Sequence, residues 1–141
     1  MSPKSRTVPT RRFAMVSVAV ALLGGAPTGP ANAAALPKRV GRCTATTISE
    51  IGTRLVDGSD NTPIQGSGSA VSFANKGYQV SYDTVSAITA SRVGDPVRVC
   101  LVSIPAHCPA GDTRGRFYRT TNLRTRRSWT LPDAEHLCGG A

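Results

Sequence analysis

Six arginines, Arg114, Arg116, Arg119, Arg124, Arg126 and Arg127, fall within fourteen residues with no aspartate or glutamate among them. A guanidinium is a planar fork that grips phosphate or carboxylate through two parallel hydrogen bonds, where an ammonium acts as a point charge. Tyr118 and Trp129 stand beside the run and could stack on a base, a sugar or a guanidinium. The pattern predicts an anion-binding face for a polyanion, such as lipopolysaccharide phosphate or nucleic acid, or for an acidic protein partner. The competing reading is a solvated hairpin whose arginines pair with Asp112, Asp133 and Glu135. On an extended chain Arg114 and Arg116 share one face and Arg119 points to the other, so the six need not form one patch.

His107 and His136 each lie close to a cysteine, Cys108 and Cys138. Disulfides could bring the two imidazoles together beside the arginines, an arrangement suited to general acid–base cleavage of RNA by a small basic nuclease. Nothing else in the chain supports catalysis. The carboxylates are scattered without the spacing of a glycosidase pair. There is no G-x-S-x-G and no H-E-x-x-H. Gly66-Ser67-Gly68-Ser69 opens a strand and lacks the helix a phosphate cradle requires. The cysteines contain no C-x-x-C, so no metal site is expected, and no cofactor or catalytic residue is assigned. Trp129 is expected in the core.

The elements that must position these groups begin after an export signal. Residues 1–12 carry Lys4, Arg6, Arg11 and Arg12 with no acid, and residues 13–25 form an uncharged, mostly apolar run. Gly24-Gly25-Ala26-Pro27 breaks that run, and Ala31-Asn32-Ala33 offers the small residues a signal peptidase needs. Thirteen apolar residues are too few for the roughly 20 of a spanning helix. Residues 1–33 therefore read as a cleaved signal helix of the general secretory type, residues 34–141 as one domain, and the mature chain as lacking a membrane span. The expected destination is a bacterial periplasm or the exterior, an oxidising place.

Of seventeen basic residues four leave with the signal, so the mature domain carries thirteen against eight acids, a net +5. A domain of 141 − 33 = 108 residues buries only roughly 60–68% of its unfolded surface, so disulfides should matter. Cys43, Cys100, Cys108 and Cys138 allow three pairings. Cys43–Cys138 with Cys100–Cys108 is favoured here: tying the two ends is worth about 4.7 kcal/mol in loop entropy and the short loop about 2.6, and Pro105 suits a reversal.

Strand and turn dominate the pattern. Residues 42–55 are rich in Thr and Ile, 56–68 read as a loop, and 69–83 as a hairpin around Asn75-Lys76-Gly77. Val71 and Phe73, and then Tyr78, Val80 and Tyr82, alternate with small or polar neighbours, and Phe73, Val80 and Tyr82 are expected inside. Residues 84–92 suit one helical turn. Residues 97–104 read as a strand buried on both faces apart from Arg98, 105–115 as loop, and 117–131 as a second hairpin around 124–127. About five to six short strands predict an all-β fold, a small antiparallel barrel or sandwich stapled by disulfides.

The stretches GDPVRVCLVSIP, CPAGDTRGRFY, TNLRT, SWTLPD and HLCGGA resemble small exported bacterial proteins ending in Cys-Gly-Gly-Ala, to which no activity is attached. The resemblance runs from about Cys43 to the end. It implies the compartment and a compact cysteine-containing domain, and it carries no functional residue. A looser likeness, to periplasmic lysozyme inhibitors, is one of fold alone. A non-catalytic binding module with a basic C-terminal face is the expectation; a hydrolase inhibitor and a small basic nuclease are the alternatives.

Overall fold

Alternation of apolar and polar residues places Val97, Val99 and Leu101 on one side of a strand and Arg98 on the other, and the computed structural model, which describes residues 35–140, follows it. The expected signal, residues 1–33, lies outside the described residues. Six antiparallel strands, β1 (Cys43–Gly52), β2 (Ser69–Phe73), β3 (Tyr78–Ser81), β4 (Pro96–Ser103), β5 (Phe117–Asn122) and β6 (Ser128–Pro132), form one curled sheet. Their order is β3-β2-β1-β4-β5-β6, so the sheet is a half-barrel. Its concave face holds Ile48, Val71, Phe73, Val97, Val99, Leu101, Tyr118 and Trp129. The single helical turn α1 (Ser86–Thr89) buries Ala87 and Ile88 in the same cluster. A twisted antiparallel sheet of this kind buries one face and leaves the other to water.

That geometry corrects two expectations. β4 is buried on one face only; Val102 and Ile104 are exposed because their side of the sheet is solvated. The inward phase of β3 is also different. Val71 pairs with Gln79, so Gln79 shares the concave face and is 1% exposed, whereas Tyr82 is 55% exposed. Val80 is buried as expected. Gln79 points inward because each of its polar atoms finds a partner there. Its Nε2 donates to the Tyr118 and Leu131 carbonyls at 2.6 and 3.0 Å. Its Oε1 accepts from Thr120 Oγ1 at 2.6 Å and Trp129 Nε1 at 2.9 Å. One side chain thus ties the edge strand β3 to β5 and β6 across the open seam, with none of its own polar atoms left unmet.

The disulfides are Cys43–Cys100 and Cys108–Cys138, and the pairing of Cys43 with Cys138 is overturned. β1 lies beside β4 with Cys43 opposite Cys100, a neighbourhood set by strand order rather than by chain ends. The loop logarithm also favours this pairing. Loops spanning 57 and 30 residues give about 4.2 and 3.6 kcal/mol, more together than one long loop with a very short one inside it. The second bridge pins the tail against the loop that follows β4.

One glycine is demanded by the backbone. Gly68, just before β2, has φ +116°, and a Cβ there would lie 2.0 Å from the Ser81 carbonyl oxygen. No side chain fits between β2 and the end of β3.

Candidate polyanion face and the placement of the arginines

The convex side of β4, β5 and β6 is built by register. Arg98 lies opposite Thr121, Cys100 opposite Arg119, and Arg119 opposite Thr130. Arg98 and Arg119 are therefore diagonal neighbours on adjacent strands, roughly 7–8 Å apart. Both are exposed, and Ala45, Thr121, Ser128 and Thr130 surround them with small side chains. None of β4, β5 and β6 contains an acid. Arg98 stands apart from the arginine run in sequence and was not expected to join it. Its signal is the alternation Val97-Arg98-Val99, which marks an outward cation between two inward valines.

The six arginines of the run are not brought together. Arg114 and Arg116 precede β5 and Arg124, Arg126 and Arg127 follow it, so a strand of six residues, roughly 20 Å long, separates them. Arg114 is bound to its neighbour: its Nε and Nη2 donate to both Asp112 oxygens at 3.0 and 2.8 Å. Asp112 also accepts from the Gly139 N–H at 3.1 Å, which anchors the tail. Arg116 is half-buried with its Nε sealed from water and unpartnered. The Gly115 and Arg116 N–H groups both donate to Asp133 Oδ1, at 2.8 and 3.0 Å. Burial nevertheless raises the Asp133 carboxyl from its ordinary value.

Arg124 is the most committed. Its Nε and Nη2 donate to Asp95 at 2.5 and 2.8 Å, and Nη2 also donates to the Ala90 carbonyl at 3.0 Å. Asp95 is 5% exposed and accepts further bonds from Asn122 Nδ2 at 2.7 Å and the Arg92 N–H at 2.9 Å. Asn122 is buried, donates to Ser91 Oγ, and accepts from the Arg124 and Thr125 N–H groups. This network locks the β5–β6 turn to the segment between α1 and β4. The Arg124 guanidinium holds the Asp95 carboxyl well below the usual carboxylate range, with the Asn122 and Arg92 bonds adding to it. Arg126 takes the left-handed backbone of the turn at φ 59°, and Arg126 and Arg127 are exposed. Arg98, Arg119, Arg126 and Arg127 are thus exposed cations with no acidic partner among the described residues.

His107 and His136 flank the Cys108–Cys138 bridge, and both are exposed. No hydrogen bond orients either ring among the described residues. Trp129 is buried in the core with its N–H committed to Gln79.

Compared with known protein families, curated proteins and solved structures, the chain matches none. The chemistry of the fold speaks to compartment: all four cysteines are bridged, as in oxidising surroundings. Among the described residues no helix is long and apolar enough to cross a membrane.

Proposed function

We propose that this is an exported, non-catalytic binding module that holds polyanions against the convex face of β4, β5 and β6. The observation that carries the reading is the exposed pair Arg98 and Arg119 on an acid-free sheet face, with Arg126 and Arg127 at the hairpin end of the same strands. Small neighbours let an extended anionic chain lie close, and the Thr130 hydroxyl and one hydroxyl of the hydrogen-bonded Thr121–Ser128 pair supply further donors. Trp129 and Tyr118 are buried, so the face offers charge rather than stacking platforms. Retention on immobilised heparin and binding to a short DNA duplex test it. Changing Arg98, Arg119, Arg126 and Arg127 to Gln should abolish retention. The slope of log affinity against log salt should become shallower by about 0.9 for each duplex phosphate that the variant no longer neutralises. Weak retention that the four changes leave intact would overturn it.

A second reading, inhibition of a hydrolase, rests on the finger formed by residues 53–67. The Asp57 N–H donates to the Thr62 carbonyl, the Ile64 N–H to Leu55, and Arg54 Nε to Ser67, so the finger is preorganised. It nevertheless exposes Leu55, Val56 and Ile64, three apolar side chains that a partner's cleft could cover. Titration into lysozyme assays, with Val56→Ser and Ile64→Ser as controls, decides this reading.

A further inference from the structure

On the far side of the sheet from the core, β1, β2 and β3 present two cross-strand rows. Glu50 lies opposite Ser72 and Ser72 opposite Tyr78, so a carboxylate, a hydroxyl and a phenol stand in line, about 5 Å from strand to strand. The next row is Gly52 opposite Ala70 and Ala70 opposite Val80, so its β1 and β2 positions carry almost no side chain while Val80 at the β3 end is buried. Residues 53–63 of the finger rise beside it as a wall. The result is a groove of about 300 Å³ with a small-residue trough, the polar row along one side, and Arg54, Val56, Asn61 and Pro63 along the other.

Three features mark the groove as built. The pairing of β1 with β2 slips between Ile48 and Glu50. Regular alternation from inward Ile48 would send Glu50 into the core; the bulge turns it outward and aligns it with Ser72. Gly52 is outside the left-handed region, and a Cβ there would meet nothing within 4 Å. Neither conformation nor packing demands glycine at 52, and its effect is to leave the trough open. The side chains of Glu50, Asn61, Ser72 and Tyr78 have no hydrogen-bond or ion-pair partner among the described residues, while the wall is fixed. Arg54 donates to the Ser67 carbonyl at 2.8 Å, lies 3.7 Å from Glu135 and stacks over the Tyr82 ring at 4.2 Å.

We propose that this groove binds one or two residues of an uncharged glycan. A pyranose has an apolar C–H face that suits the trough and the Tyr78 ring, and a rim of hydroxyls. Those hydroxyls are donors for the acceptor-only Glu50 carboxylate and partners for Ser72, Tyr78 and Asn61. An added peptide strand is disfavoured, because the floor is a sheet face whose strands are already paired and offers no free ladder. Phosphate is disfavoured by the Glu50 carboxylate, and burial, with the charge of Glu135 adding to it, raises the Tyr78 phenol. The site is independent of the arginine face.

The test uses the disulfide-bonded protein, with NMR titration of maltose, cellobiose and N,N′-diacetylchitobiose. At least one should shift the amides of Glu50, Gly52, Ser72 and Tyr78 at millimolar concentration. Gly52→Val should leave the fold intact and weaken that binding at least tenfold by filling the trough. Tyr78→Phe, which removes a hydroxyl that has no hydrogen-bond partner among the described residues, should weaken it as well and decides the matter if the valine variant does not fold. Arg98→Gln with Arg119→Gln should change nothing. Absence of shifts with all three sugars overturns the proposal. So does binding that survives the folded Gly52→Val or Tyr78→Phe variant, and so does binding lost with the arginine changes.

Discussion

The Trp129 indole N–H donates to Gln79 Oε1 at 2.9 Å across the one seam of the sheet where β3 and β6 meet without a backbone ladder. The orientation of the amide follows from its surroundings: a reversed group would turn its oxygen toward two carbonyls. Replacing Gln79 by Leu strands the indole N–H, the Thr120 hydroxyl and the spare carbonyl lone pairs in a dry core. The expected cost is about 2–4 kcal/mol, a fall in Tm on the order of 10–20 °C for a domain this size. Thermal unfolding followed by tryptophan fluorescence measures it. A Tm within about 2 °C of the parent would show that water reaches the seam and that Gln79 is not its fastener.

The two bridges should differ in what they hold. Cys43–Cys100 joins adjacent strands, whereas Cys108–Cys138 clamps the tail to a loop. Changing both Cys43 and Cys100 to Ala should cost about 4 kcal/mol, and changing both Cys108 and Cys138 to Ala slightly less. Removal of the second bridge should also open residues 133–140 to limited proteolysis while the sheet persists. Non-reducing peptide mapping checks the connectivity, and a Cys43–Cys138 peptide would overturn the arrangement.

Acid should find the Asp95 network first. The folded-state pKa of Asp95 lies below its unfolded value, so its contribution to stability is fully present above about pH 4 and is lost as pH falls toward the folded value. Asp112, held down chiefly by Arg114, behaves in the same sense. Asp133 runs the other way: its raised pKa favours the folded state while protonated, and that contribution disappears as pH rises through the folded value. Asp95→Asn should therefore lower Tm at pH 7 and flatten its fall below pH 4. An Asp95→Asn variant whose acid profile parallels the parent's would remove Asp95 from the account.

The two hairpins were legible because their information is local: turn residues at 75–77 and 124–127 and alternation on either side name β2, β3, β5 and β6 without help from the rest of the chain. The half-barrel was legible only as an all-β fold, since sheet order depends on contacts far apart in sequence. Disulfide pairing failed for that reason. Nothing near Cys43 reveals that β4, rather than the tail, will lie beside β1. The phase of β3 failed for another: a glutamine reads as solvent-facing, and only partners some forty to fifty residues away, Thr120 and Trp129, make it an inward residue. The arginine run was visible as charge, but its division depends on which acids the fold delivers. Asp95 reaches Arg124 through the turn before β4, and Asp112 reaches Arg114 within its own loop.

That division gives a pair of variants with opposite signatures. Arg124 commits its Nε and Nη2 to Asp95 and Ala90, so Arg124→Gln should lower Tm by uncoupling the β5–β6 turn from the segment before β4. It should alter heparin retention only modestly, because that guanidinium is already neutralised by a carboxylate. Arg98→Gln with Arg119→Gln should do the reverse, since both side chains stand in water on the convex face. Exposed positions without partners change stability by no more than about 0.5 kcal/mol, so Tm should hold while the salt needed for elution falls. Thermal unfolding and a salt gradient on one set of proteins separate the outcomes. If Arg124→Gln proves the larger loss in retention at constant Tm, the anion site lies at the hairpin turn and the sheet face is a solvated surface.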